Sequence, residues 1–386
     1  MTSSSSPKAI AIVGGGRWAR IIAKIAQEVV SPQARLICSS PSNPASWESW
    51  KQNHPRWENN LSIADIAQDT SVSHVIIARK AKDHAATTLE LVNDERRILT
   101  EKPFCLTLSE LTELVSSTHS GSLRTGHVFD YATNLSLFRT ACLDAGAIQS
   151  VSVNWEDPTG ETRHGEAKTY DPSLNLIQDV FPHVWTIIKS YASNNPLELL
   201  SVRGKNGGRA TRLELSSGNV SLSAELKREA KQRLRQITVH GENFVAELDF
   251  SEEPGSAKLN GRAIEIQRSF SSPLAAELAS FFDNTMTESC MVQNAAECIR
   301  LSVAAVAEVR GYQKELLGSW VRQNEIEQNT RDIAYALREI ELGGINADGK
   351  SSAENDIADW LGVPVATLTK FMMQAKSSSK ESRENQ

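Results

Sequence analysis

Three groups of residues in this chain have the types and spacing to do chemistry. The first is Gly14-Gly15-Gly16-Arg17-Trp18-Ala19, which follows the apolar run Ile10-Ala11-Ile12-Val13. A G-x-G-x-x-A pattern after a strand suits a dinucleotide. Gly14 makes the tight turn, Gly16 lets backbone approach a pyrophosphate, and Ala19 lets helix and strand pack closely. The following helix, read over 17–30, aims its first N–H groups at the phosphates. The second group is Glu101-Lys102-Pro103, at the end of a later apolar strand. An ammonium there can bond a reacting oxygen beside a cofactor ring and stabilise charge developing on it. The alternative is a surface lysine, with Pro103 simply ending the strand. The third group is Asp179 and His183, in Gln178-Asp179-Val180-Phe181-Pro182-His183-Val184-Trp185. Hydride transfer at a carbinol carbon also requires a proton transfer at oxygen, and an imidazole titrates near neutrality. Pro182 suits the first turn of a helix. That places Asp179 near the N-cap and His183 one turn later, toward the same end. The alternative is a capping carboxylate and a histidine packed beside Trp185.

The elements that must position these residues follow from periodicity. Strand-like segments at 34–38, 75–78, 97–100 and 123–126 alternate with helix-like ones at 83–92 and 108–117. Such alternation builds βαβ units, so residues 7–127 read as an α/β dinucleotide-binding domain with a doubly wound parallel sheet. Then the period changes. Residues 148–155, 199–203, 212–215, 220–226, 236–240 and 244–250 alternate as strands, with turn signals such as Ser217-Gly218-Asn219 and Gly241-Glu242-Asn243 between them. Helices return at 273–286 and 294–317. Residues 128–328 therefore read as an α+β substrate and oligomerisation domain with an open antiparallel sheet. Residues 329–375 read as a small helical extension broken at Gly343-Gly344, and 376–386 as a disordered polar tail.

In this order the motifs resemble the glucose–fructose oxidoreductase / inositol dehydrogenase (Gfo/Idh/MocA) family. The glycine-rich start, an Ile-Ile-Ala strand end with His84 after it, Glu101-Lys102-Pro103 and Asp179-x-x-x-His183 carry the resemblance over residues 8–320. It implies a Rossmann domain, NAD or NADP, and oxidation or reduction of a hydroxyl or carbonyl, most often on a sugar or cyclitol. It also implies Lys102, Asp179 and His183 as catalytic residues. Gly14, Gly16, Arg17, Trp18, Ser39, Ser40, Glu101 and Lys102 are the expected cofactor-binding set. The chain departs from the family where Leu174, Asn175 and Phe181 replace glycines and Thr186 replaces an acid. Those departures leave room for an imine reductase of a specialised biosynthetic pathway. A non-catalytic nucleotide-binding regulator is the reading from another class.

Cofactor choice turns on the end of the second strand, where NAD sites place Asp or Glu. This chain has Cys38-Ser39-Ser40-Pro41-Ser42-Asn43, with no carboxylate until Glu48. NADP(H) is therefore expected in preference to NAD(H), with small hydroxyls and Arg17 receiving the 2′-phosphate. Arg79-Lys80 stands where the family commonly has Thr-Pro and is a candidate for binding an anionic substrate. His127, after Gly126, is a candidate for lining the same cleft.

Bulk properties bound the alternatives. A formal charge of −6 over 386 residues argues against a general nucleic-acid binder. No apolar run approaches membrane-spanning length, and the start, Met1 to Lys8, lacks a signal-peptide core. Cytoplasmic residence is expected. Five cysteines without a C-x-x-C pair predict neither a disulfide framework nor structural zinc. No metal is expected. Residues 356–371 have helix-turn-helix spacing, but acidic residues outnumber basic ones from 330 onward. A helical hairpin packed on the body or on another subunit is the expectation, and DNA is not. The expected partners are a small-molecule substrate and further copies of the chain, joined through the antiparallel sheet.

Overall fold

The apolar run before the glycines becomes β1 (Ala9–Val13), buried at every residue. That is the pattern of a parallel strand covered on both faces. The computed structural model describes residues 8–40, 44–117, 119–163, 166–167, 170–192, 195–252, 255–266, 271–323 and 326–384. They fall into two compact units, 1–137 with 267–299, and 138–266 with 300–386. The expectation for the first seven residues lies outside the described ones.

In the first unit β1 is followed by α1 (Arg17–Val29), β2 (Arg35–Ser39), α2 (Pro44–Lys51), β3 (Trp57–Asn60), α3 (Ile63–Gln68), β4 (Val72–Ile77), α4 (His84–Leu91), β5 (Arg97–Thr100), α5 (Leu108–Ser116) and β6 (Leu123–Thr125). The strands form one parallel sheet in the order β3-β2-β1-β4-β5-β6. This is the doubly wound dinucleotide-binding order. Its reversal between β1 and β4 opens a crevice at the carboxyl ends of those strands. α6 (Thr133–Ala145) carries the chain into the second unit.

There β7 (Ile148–Pro158) is followed by the short pair β8 (Thr162–Arg163) and β9 (Glu166–Ala167), then α7 (Leu176–Lys189). Next come β10 (Glu198–Lys205), β11 (Ala210–Ser217), β12 (Val220–Ala230), β13 (Leu234–Gly241), β14 (Val245–Asp249), β15 (Ser256–Leu259) and β16 (Arg262–Ile264). They pair in the order β10-β11-β12-β7-β13-β14-β15-β16. The sheet is not purely antiparallel as the sequence pattern predicts, because β12 runs parallel to β7 at its centre. The chain leaves β7, passes through α7 and a hairpin, and returns beside it, and such a crossover permits parallel pairing. α7 packs on one face, where Leu222, Ala224 and Leu226 of β12 alternate inward.

α8 (Pro273–Phe282) returns to the first unit, where Leu278 and Phe281 join Ile10, Ile12, Ile22, Leu36 and Trp47 in one core. α9 (Val292–Gln323) then leads to α10 (Ile326–Gly343), α11 (Glu354–Leu361) and α12 (Val365–Glu384). In the second unit Leu317 and Trp320 of α9 pack with Ile333, Leu337, Ile357, Leu368 and Phe371 of these helices. The 356–371 segment is thus a hairpin seated on its own chain, turned at Gly362 with φ of 68°. α12 continues through most of the segment predicted to be disordered.

Candidate active site

The first unit holds the glycine turn. Gly14 has φ of +150°, and a Cβ there would lie 2.2 Å from the carbonyl oxygen of Ala78. Its N–H donates to Ser39 at 2.7 Å, and the Ala78 N–H donates to Val13 at 2.8 Å, so the turn is locked between β2 and β4. Only glycine fits. The Ala19 Cβ lies 3.2 Å from the same position, the close packing expected of the third small residue.

Gly16 is different. It is the N-cap of α1 with φ −76° and ψ 174°, ordinary extended backbone. A Cβ there would meet nothing within 4 Å. No side chain caps α1, and no acidic residue lies in its first turn. Neither conformation nor internal packing calls for glycine here. What the glycine leaves is open space beside the first N–H groups of α1, a cradle suited to a pyrophosphate.

At the end of β2 stand the two serines expected to meet the cofactor. Ser39 and Ser40 are both fully buried. The Ser39 Oγ has no partner among the described residues, and the Ser40 N–H donates to Asn60 Oδ1 at 2.6 Å. Asn60, at the end of β3, thus braces the end of β2.

Lys102 is half-buried just beyond β5, and the Lys102–Pro103 peptide is cis. Beside it, Glu101 accepts the indole N–H of Trp18, and burial pushes its carboxyl above the usual range. Glu101 therefore ties α1 to the Lys102 loop. Glu277 of α8 accepts the His127 N–H at 2.7 Å, and burial together with Glu101 raises its carboxyl further. His127 itself is buried and pushed down to about 4 by desolvation, a neutral core imidazole and not a cleft residue. His84, known from sequence only as a family marker, has a structural task. Its Nδ1 lies 2.8 Å from the Pro103 carbonyl and its Nε2 3.1 Å from that of Arg79, so the ring sits between the Lys102 loop and the end of β4, and in its neutral form it donates to one of the two. Arg79 is tethered to α4 through Thr87 at 2.6 Å and Asp83 at 3.5 Å, whereas Lys80 is exposed.

The second unit holds Asp179 and His183, both on α7. The sequence pattern predicts Asp179 near the N-cap and Pro182 in the first turn. The structure starts the helix earlier. Asn175 is the N-cap, in a capping box with Gln178, and Pro182 lies inside the helix. Asp179 instead accepts Arg228 Nη2 at 2.9 Å. That guanidinium is buried and also donates to the carbonyls of Leu174 at 2.8 Å and Asn175 at 3.4 Å. Burial works against its charge, but Tyr335, Asp179 and Glu339 around it hold it above the usual range. His183 is half-buried and stacks on Trp155 of β7, with centroids 5.5 Å apart and planes at 17°. Its shelf is not Trp185, which is buried. The Arg235 guanidinium lies 3.7 Å from the Trp155 ring and pairs with Asp157. Arg228 and Trp155 carry no sequence signal of their own, because each is one more residue in an alternating strand.

Among the described residues, no group of three or more His, Cys, Asp or Glu could hold a metal ion. All five cysteines are free and buried. No described helix is long and apolar enough to cross a membrane.

Residues 8–126 match the model of the Gfo/Idh/MocA oxidoreductase family, NAD-binding Rossmann fold. Over that stretch the chain carries the NAD-binding domain that this family model describes. Its fold is shared with solved structures of low identity. UDP-N-acetylglucosamine 3-dehydrogenase from Acidithiobacillus ferrooxidans is 15% identical with a TM-score of 0.65, over 79% of this chain and 99% of that one. A putative myo-inositol dehydrogenase from Sinorhizobium meliloti is 16% identical with a TM-score of 0.61, over 79% and 98%. A 3-ketoreductase from Actinomadura kijaniata, solved with TDP-benzene and NADP, is 11% identical with a TM-score of 0.64, over 78% and 98%. No curated protein matches the sequence. The matched domain is that of an NAD(P)-binding oxidoreductase.

Proposed function

We propose that the protein exchanges a hydride between NADP(H), in preference to NAD(H), and a sugar-like or cyclitol alcohol or ketone. The observation that carries this reading is Gly16, a glycine that nothing inside the chain requires, over the uncapped start of α1. A pyrophosphate fits that space, held by the first N–H groups of the helix. The bound nicotinamide supplies the hydride chemistry. Absence of a carboxylate at Ser39-Ser40 supports the phosphorylated cofactor, with Arg17, half-buried at the first position of α1, supplying the charge. Lys102 donates to the reacting oxygen of the substrate and stabilises charge there. His183 carries the proton at oxygen. Asp179, already paired with Arg228, orders the helix that bears His183. The names of the solved relatives support a sugar or cyclitol substrate. The reading includes cytoplasmic residence and a homo-oligomer formed through the polar second face of the eight-stranded sheet, which presents Ser152, Ser223 and Thr238.

The test is turnover with myo-inositol, UDP-N-acetylglucosamine and their keto forms, followed by NADPH absorbance. Lys102→Ala should leave cofactor affinity within a few-fold and lower turnover by roughly 10²-fold. His183→Ala should cost about 10²- to 10⁴-fold. Wild-type rates in both variants would move the chemistry elsewhere. NADPH binding without turnover on any of these compounds would favour a regulator.

A further inference from the structure

α7 is a helix with a fault in it. Pro182 lacks the N–H that would bond the Gln178 carbonyl, and an interior proline weakens a helix by about 3 kcal/mol. The first turn, which carries Asp179, must therefore be fastened from outside. Three contacts from the C-terminal extension do this. Ala347 accepts Gln178 Nε2 at 2.7 Å. Gly343 sits so close that a Cβ there would lie 2.4 Å from the carbonyl oxygen of Ser173. Tyr335 Oη lies 3.4 Å from Arg228 Nη1, and Arg228 holds Asp179.

Tyr335 is itself part of a buried chain. Its hydroxyl donates to Glu339 Oε1 at 3.3 Å. The other carboxylate oxygen of Glu339 accepts Gln313 Nε2 at 2.7 Å and Arg310 Nη1 at 3.1 Å, both on α9. Tyr335, Glu339, Arg310 and Gln313 are all buried. The network is connected, with Arg310 Nε and Nη2 and Arg228 Nε left without a partner among the described residues, and buried hydrogen bonds of this kind fix geometry.

We propose that the extension is a positioning element for the α7 site. Tyr335 and Glu339 act on Arg228, Arg228 acts on Asp179, and Gly343 and Ala347 set where the helix begins. The proposal rests on the reading of α7 as the proton-transfer helix, but its test needs neither cofactor nor substrate.

The experiment uses the full chain labelled with [13C]-histidine at Cε1. The His183 resonance is assigned by its loss in His183→Gln. Tyr335→Phe removes one hydroxyl and keeps the ring. Gly343→Ala inserts a methyl against Ser173. Leu368→Ala is the control, a fully buried residue of the α9–α12 core outside this chain of contacts. The first two variants should displace the His183 resonance and leave the other histidines in place. Leu368→Ala should lower the melting temperature without that displacement. With a turned-over substrate, Tyr335→Phe should lower kcat by roughly 10- to 100-fold at unchanged NADPH affinity, the scale for a misplaced catalytic group. An unmoved His183 resonance in folded Tyr335→Phe overturns the proposal, and so does an equal displacement in Leu368→Ala. If Gly343→Ala does not fold, Tyr335→Phe alone decides. A wild-type protein that fails to bind NADPH refutes the oxidoreductase reading and leaves the resonance test intact.

Discussion

Gly16→Val separates a glycine kept for the chain from one kept for a ligand. Its backbone angles are open to any residue, and a Cβ meets nothing within 4 Å. The free protein should therefore lose only about 1 kcal/mol, the cost of a residue that caps poorly at the N-cap. Binding is another matter. The isopropyl group would fill the space over the first N–H groups of α1. Losing two charge-assisted hydrogen bonds of about 1.5 kcal/mol or more each removes at least about 3 kcal/mol, more than 100-fold in Kd. NADPH at about 100 times its Kd should stabilise the wild type by about 2.7 kcal/mol. For a unit of this size that raises the melting temperature by roughly 5–10 °C. The assay is melting with and without NADPH, beside a fluorescence titration. Gly16→Val should melt within about 2–4 °C of the wild type alone and show no rise with NADPH. Gly14→Ala should do the opposite at once, because its Cβ overlaps the Ala78 carbonyl at a φ of +150°. A folded Gly16→Val with wild-type affinity would refute the cradle.

Other outcomes follow from the same geometry. NADPH should bind more tightly than NADH in parallel titrations, and the reverse order would show that another group reads the ribose. Asp179→Ala should destabilise the second unit by about 3 kcal/mol in urea unfolding, because it leaves the buried Arg228 without its carboxylate; an unchanged midpoint would show the pair to be idle. His74 is held neutral by burial, its pKa pushed down to about 4 against 6.5 when unfolded. Between those values the unfolded chain binds a proton that the folded one does not, so this group loses stability as pH falls, by up to roughly 3 kcal/mol. The melting difference between wild type and His74→Gln should therefore shift against the wild type from pH 7 to pH 4, and parallel curves would refute the assignment.

The first unit was largely legible because buried parallel strands are continuous apolar runs, and because a pyrophosphate turn admits few residues. What escaped was α2, β3 and α3. β3 reads Trp-Glu-Asn-Asn, with no alternation. It is an edge strand set by the buried Trp57 and by Arg35, which pairs with Glu58 at 2.7 Å and Asp69 at 3.0 Å. That missed segment supplies Asn60, which takes the Ser40 N–H, so the fate of the serines was illegible too. In the second unit the strands were legible and their directions were not. Period two shows which face a residue takes, whereas the parallel β7–β12 pair depends on a crossover through α7. Pro182 misled for a similar reason. The local rule places proline in a first turn, but bonds from residues far along the chain hold this helix across it.

The residues at which this chain departs from the pattern it resembles cluster at the start of α7 and along it. Asn175 stands in place of a glycine and caps α7 with its side chain. Leu174, also at a glycine position, is buried, and its carbonyl accepts Arg228. Phe181 is fully buried in the core, where a glycine would leave a cavity and an uncovered sheet. Thr186 replaces an acid, and its Oγ1 donates to the Pro182 carbonyl at 2.9 Å in a buried position where a carboxylate would be desolvated without that donor. Asn175 starts the helix earlier, and Leu174 and Phe181 bury apolar side chains beside that start. They act on the same turn that Tyr335, Gly343 and Ala347 hold from the extension. A site built on glycines keeps its helix start pliable around a ligand, whereas here the start is fixed by side chains on both sides. Restoring glycine at 175 should therefore loosen α7 even with the extension intact. Removing the Tyr335 hydroxyl should loosen it even with Asn175 in place, and the two losses should exceed their sum when combined, because both fasten one turn.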